Sequence, residues 1–294
     1  MKKMIAAVEI LLLSTPFAFA QIARVADSPA VNASPAPAQS TPPETIGRDW
    51  ESWNWQQQQA ASPLPYWTYN STWNQNGLVN GVDFVQTITM DPSRFPEGTV
   101  IKWSWPQDTP AQGNVYSYPM LVYGTYPGLR APITNIAAKQ INDIDTLKLS
   151  HRLSIGGSTG QFAVLYDGFL SKVPVPGTDY SNAIYEIEVH CHTPTYFSAW
   201  LDNGSHPKFS FTDSRGTRWS IFDNPDAKAR MIVFVRADYG DLLDYTVDMK
   251  ELLLAAKSNG LLTGNEYWTG TGLGVEPQMG FGSLTINSFS VDYR

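Results

Sequence analysis

The stretch Ile184-Tyr185-Glu186-Ile187-Glu188-Val189-His190-Cys191-His192 alternates apolar with ionisable side chains from Tyr185 onward. A strand sends successive side chains to opposite faces. Glu186, Glu188, His190 and His192 therefore share one face, and Tyr185, Ile187, Val189 and Cys191 share the other. The apolar face predicts burial against a second layer. The ionisable face, with two carboxylates and two imidazoles in a row, is either a solvated surface or the floor of a site.

Outward from this strand the same grammar repeats. Val82–Ile88, Thr99–Trp105, Leu147–Leu153 and Gln161–Asp167 are short runs rich in β-branched and aromatic residues, each flanked by Gly, Pro, Asn or Asp. A final run, Ser283–Tyr293, is expected to end the sheet. Strands without regular helical crossovers predict an all-β sandwich or jelly roll of antiparallel sheets rather than βαβ units. One short amphipathic helix interrupts it. Asp248 caps Met249-Lys250-Glu251, the apolar stripe continues through Leu252, Leu253 and Ala256, and Gly260 closes it.

The beginning of the chain reads differently. Lys2 and Lys3 precede an apolar run from Met4 to Phe17 and a small-x-small Ala18-Phe19-Ala20, the pattern of a secretory signal peptide over residues 1–20. Residues 21–48, dominated by Pro, Ala, Ser and Thr, read as a linker. Residues 49–65 form an arm with Trp50, Trp53 and Trp55 before four glutamines, either docked on the domain or touching a ligand. Residues 66–294 are left as the folded domain. The expected location is secreted, extracellular or periplasmic, with a core held by burial alone because Cys191 is the sole cysteine.

A net charge of −7, only 16% charged residues and ten tryptophans disfavour nucleic acid and anionic membranes as partners. The same surface suits a neutral ligand with apolar faces, such as a sugar ring stacking on indole. Chemistry enters with Gly274-Val275-Glu276-Pro277-Gln278-Met279-Gly280-Phe281-Gly282, where a carboxylate stands among residues that let a ligand approach the backbone. Together with the Glu186 strand it supplies the two carboxyl groups that glycoside hydrolysis requires.

From about Tyr66 to Tyr293 the sequence resembles the family 12 glycoside hydrolases, secreted endo-β-1,4-glucanases and xyloglucanases with a concanavalin-like jelly roll. The likeness rests on five islands in order: Asn70-Ser71-Thr72-Trp73-Asn74, Asn114-Val115-Tyr116-Ser117-Tyr118-Pro119, Val164-Leu165-Tyr166-Asp167, Tyr185-Glu186-Ile187 and Gly274–Leu284. The resemblance implies Glu186 as nucleophile, Glu276 as general acid/base and Asp167 as the acid that hydrogen-bonds the nucleophile, in a retaining reaction with carboxyls about 5–5.5 Å apart. It also implies a β-glucan substrate stacked on Trp73 and bordered by Tyr118. The family's Met and Trp on the nucleophile strand are replaced by Glu188 and His190, which are expected to face the substrate and to alter pH response or specificity. No cofactor is expected, and the chain is expected to be a monomer.

Two other readings compete. A carbohydrate-binding jelly roll would keep Trp73 without needing Glu186 or Glu276. A metal enzyme would use Glu188, His190 and His192, although flat strand spacing spreads them nearly 7 Å apart. Trp103 and Trp105 are read either as further sugar platforms or as core.

Overall fold

The computed structural model describes residues 42–53, 65–107, 115–126, 136–174 and 180–294; the signal-peptide reading, most of the linker, Trp55 and the glutamines lie outside them. In chain order the strands are β1 Glu44–Ile46, β2 Glu51–Trp53, β3 Tyr66–Ser71, β4 Val85–Met90, β5 Thr99–Ser104, β6 Tyr118–Gly124, β7 Lys139–Gln140, β8 Leu147–Gly156 and β9 Gln161–Ser171. They continue with β10 Ala183–His192, helix α1 Thr195–Leu201, β11 Lys208–Thr212, β12 Arg218–Asn224, β13 Arg230–Arg236 and β14 Asp244–Asp248. Helix α2 Met249–Ser258, β15 Tyr267–Trp268, β16 Gly270–Met279 and β17 Phe281–Tyr293 complete it.

Among the described residues these strands form two sheets. One has the order β1-β4-β5-β17-β8-β14, and the larger one β11-β12-β13-β10-β9-β16-β6-β3-β2, with β15 linking β9 to β7. Pairing is antiparallel except between β10 and β13. The expected jelly-roll sandwich is therefore present. The last strand differs from its expectation: β17 lies inside the smaller sheet, with β5 on one side and β8 on the other. Its length lets it serve both neighbours.

Alternation explains the layering. On β9, Phe162, Val164, Tyr166 and Leu170 enter the core between the sheets, while Ala163, Leu165 and Phe169 form a second apolar cluster on the outer face. A strand buried on both faces reads as a continuous apolar run, and Asp167 falls in the outward-pointing set. On β10, Ile187, Val189 and Cys191 join the inner core as their spacing predicts. Trp103 and Trp105 are core residues, both 2% exposed. Trp105 is stacked between Phe84 at 3.8 Å and Tyr116 at 4.5 Å.

The α2 cap is as the sequence predicts, with the Asp248 carboxylate accepting from the Glu251 backbone N–H at 3.1 Å. Its Met249, Leu252, Leu253 and Ala256 enter the main core. A second helix, α1, was not expected. Phe197 and Leu201 of α1 pack on Phe222, Val233 and Val235, on the outer face of β12 and β13.

The linker and arm boundaries also change. Glu44–Ile46 pairs with β4 in the smaller sheet, and Glu51–Trp53 pairs with β3 at the edge of the larger one. Trp53 is buried, donates its indole N–H to Glu44 at 2.6 Å and meets Phe95 edge-on at 4.9 Å. These contacts bury enough apolar surface to order a segment whose composition alone suggests an extended linker.

Candidate active site

Four carboxyl groups converge on the outer face of the larger sheet. Glu188 of β10 lies directly opposite Asp167 of β9, and Asp167 lies opposite Gly272 of β16. Glu186 is opposite Phe169, and Glu276 is opposite Ala163. All four positions share the parity that faces away from the sandwich core.

Asp167 is enclosed, at 3% exposure. Tyr126 donates its hydroxyl to Oδ2, whereas Oδ1 is buried with no hydrogen-bond partner. The Asp167 backbone N–H donates to the Tyr118 hydroxyl at 3.1 Å, and that hydroxyl in turn faces the carbonyls of Gly272 at 2.9 Å and Leu165 at 3.1 Å. Tyr118 reaches this place because β16 carries glycine. A Cβ at Gly274 would meet the Pro119 carbonyl at 2.3 Å and the Tyr118 ring at 2.9 Å.

Glu188 is 3% and His190 2% exposed, and His190 Nε2 lies 3.1 Å from Glu188 Oε2. The His190 ring stacks on Phe197 of α1 at 4.5 Å, and its Nδ1 is buried without a partner. The pair is thus enclosed between β10 and α1 rather than part of an open surface. His192 does not join it. A bulge between His190 and His192 shifts the register, so His192 is opposite the core residue Val164, stacks on Phe162 at 5.0 Å and bonds Asp241 at 2.9 Å. Glu188, His190 and His192 therefore do not converge on one point.

The electrostatics follow from crowding. Burial, then the charge of Glu188, pushes the Asp167 carboxyl up to about 8. Burial, then Asp167 and Glu188, raises Glu186 well above the ordinary carboxylate range. Burial raises Glu276 likewise, with Glu188 the largest charge acting on it, ahead of Asp167 and Glu186. These titrations belong to the cluster as a whole. The buried hydroxyl of Tyr196 on α1, without a hydrogen-bond partner, has its proton held on by burial and by the charges of Glu276 and Glu188.

A cleft of about 720 Å³ opens over this floor, lined by Glu186, Asp167, Glu276, Tyr118, Trp73 and Trp50 among others. That volume is in the range of small-molecule and oligosaccharide sites. Trp73 is 50% and Trp50 49% exposed. Sequence reasoning left Trp50 open between docking and ligand contact. It lines the cleft from a left-handed backbone conformation at φ 59°, rare for a bulky residue, which pattern reading does not anticipate. Tyr126 and the Lys228-Ala229 turn also border the cleft and carried no sequence signal beyond residue type.

No family model matches the sequence, and no curated protein matches it. Solved structures do. Over 88% of this chain and 100% of the other, the fold is similar to Trichoderma harzianum endoglucanase 3 from family GH12, at 19% identity and TM-score 0.65. It is similar over 85% and 99% to the Humicola grisea Cel12A catalytic domain in complex with a soaked thio-cellotetraose, at 18% and 0.65. A ligand-bound family 12 xyloglucanase from Bacillus licheniformis matches over 85% and 100%, at 18% and 0.63. At such identities the likeness shows the fold: this chain is built on the same two-sheet jelly roll as those three structures.

Proposed function

We propose that this chain is a secreted, retaining β-1,4-glucan hydrolase acting on β-glucan or xyloglucan by double displacement. The observation that carries the reading is the carboxyl cluster itself. One cleft brings together Glu276, whose proton is held on by burial and surrounding negative charge, Glu186 of β10, Asp167 of β9 and two half-exposed indoles. A binding module has no use for carboxyls whose affinities for protons are driven this far from ordinary.

In the first step a β10 carboxylate attacks the anomeric carbon while the glycosidic C–O bond breaks and Glu276 gives its proton to the leaving oxygen. Forming the glycosyl ester removes a negative charge beside Glu276, which then accepts a proton from water as that water attacks the ester. The carboxylate is released and Glu276 is again protonated. The Tyr185-Glu186-Ile187 motif names Glu186 for the nucleophile. Asp167, pushed up to about 8, holds its own proton near neutrality beside the β10 glutamates. Trp73 and Trp50 supply faces for the sugar rings.

Side-by-side hydrolysis of carboxymethylcellulose, mixed-linkage glucan, xyloglucan and xylan, with Glu276→Gln as control, tests the reading. Turnover lost in the variant, with the β-anomer released first by NMR, supports it. Binding without turnover in the unaltered protein favours a carbohydrate-binding jelly roll instead.

A further inference from the structure

We infer that Glu188, rather than Glu186, is the nucleophile of the β10 strand, because it is the glutamate placed opposite Asp167 and in the register closer to Glu276. The inference rests on the glycosidase reading of the cleft and names the residue that attacks.

The register carries it. On β9 the partner of Glu276 is Ala163, the partner of Glu188 is Asp167 and the partner of Glu186 is Phe169. Glu188 is thus offset from Glu276 by four residues along β9, and Glu186 by six. At about 3.4 Å per residue the offsets are roughly 14 and 20 Å along the strand, over the same lateral gap of two strand spacings. Of the two, Glu188 starts closer to Glu276 and needs the smaller convergence of side chains and sheet twist to reach the separation of about 5–5.5 Å that retention requires. Electrostatics agree, since Glu188 exerts the largest charge effect on both Glu276 and Asp167.

The local contacts fit the two glutamates to different tasks. Glu188 has Oε2 held against His190 Nε2 at 3.1 Å, and Oε1 has no hydrogen bond and is not sealed. One oxygen is fixed and the other carries no hydrogen bond. Burial, then the charges of Asp167 and Glu188, raise Glu186 well above the ordinary carboxylate range, which disfavours the anionic form that a nucleophile needs. A neutral carboxylic acid lining the cleft is instead suited to hydrogen-bond a sugar hydroxyl.

The motif cannot distinguish these roles. Tyr185-Glu186-Ile187 and Ile187-Glu188-Val189 are both a glutamate between apolar residues, and a slip of two leaves every side chain on its original face. The attack forms a bond from Glu188 Oε1 to the anomeric carbon as the glycosidic bond breaks and Glu276 protonates the departing oxygen. Water then replaces the ester, its proton passing to Glu276.

The test uses the unaltered chain. Incubation with a 2-deoxy-2-fluoro-β-cellobioside bearing an activated leaving group, followed by peptide mass spectrometry, locates the trapped ester. A label on Glu188 is expected; a label on Glu186 in an enzyme that turns over glucan overturns the inference while leaving the glucanase reading intact. A protein that hydrolyses none of the four polysaccharides fails both. If the reagent labels neither residue, azide rescue decides between folded Glu188→Ala and Glu186→Ala, with folding verified by thermal melting. Loss of about a thousandfold or more in Glu188→Ala, recovered as the α-glycosyl azide, supports the assignment, and that behaviour in Glu186→Ala overturns it.

Discussion

Glu188 and Asp167 face each other directly across the β9–β10 pair, both buried and both on the cleft side of the sheet. Burial and the facing charge of Glu188 push the Asp167 carboxyl up to about 8, which makes the site's behaviour depend on acidity.

Stability should fall toward alkaline pH. Asp167, raised to about 8, holds in the folded chain a proton that an unfolded aspartate loses above about 4. Between these values the folded state binds more protons, so its contribution is complete at the acid end and drains away as pH climbs to about 8. Asp167→Asn removes the ionisation. The melting temperature of the variant relative to the unaltered protein should be more favourable at pH 9 than at pH 5; an equal difference at both would refute the assignment.

Glu276→Gln should lower kcat/KM on polysaccharide by about 10²–10⁴-fold, the usual contribution of a general acid. Aryl cellobiosides with acidic leaving groups need less protonation, and their first step should suffer less. Equal losses on both substrates would argue against the acid role.

Removing either cleft tryptophan should weaken binding more than turnover. Trp73→Ala and Trp50→Ala each lose a half-exposed stacking face worth about 1 kcal/mol, roughly fivefold in KM with kcat little changed. Steady-state kinetics on cello-oligosaccharides of increasing length measures this, and an unaltered KM at all lengths would remove the residue from the binding surface.

Gly274→Ala should destabilise the sheet beneath Glu276. The added methyl meets the Pro119 carbonyl at 2.3 Å, and relieving that overlap moves β6 or β16 at a cost of about 1–3 kcal/mol. Thermal denaturation should show a loss of about 2–4 °C per kcal/mol. A melting temperature unchanged from the parent would show that the two strands yield freely.

Much of the architecture was legible because it follows from period and capping. Ile187, Val189 and Cys191 are inside because alternation places them there, and Asp248 caps α2 because a carboxylate before an apolar stripe satisfies free N–H groups. Trp105 as core, not platform, required knowing that Phe84 and Tyr116 sandwich it. The candidate site was legible in its residue types but not in its register. His192 leaves the face through a bulge that no residue type announces, and Trp50 enters the cleft through an unusual backbone angle. Helix α1 was missed because seven residues are too few for a periodic stripe to stand out.

The short strands β1 and β2, joined by the bond from Trp53 to Glu44, each cover a flank of a different sheet. A recombinant protein trimmed to begin at residue 66 would leave β4 and β3 with bare backbone donors and acceptors on the same side of the molecule, inviting copies to zip together. It would also arrive without Trp50. The boundary that composition suggests is thus the wrong place to cut, and solubility of the shortened chain would report on these few residues before any assay of activity could.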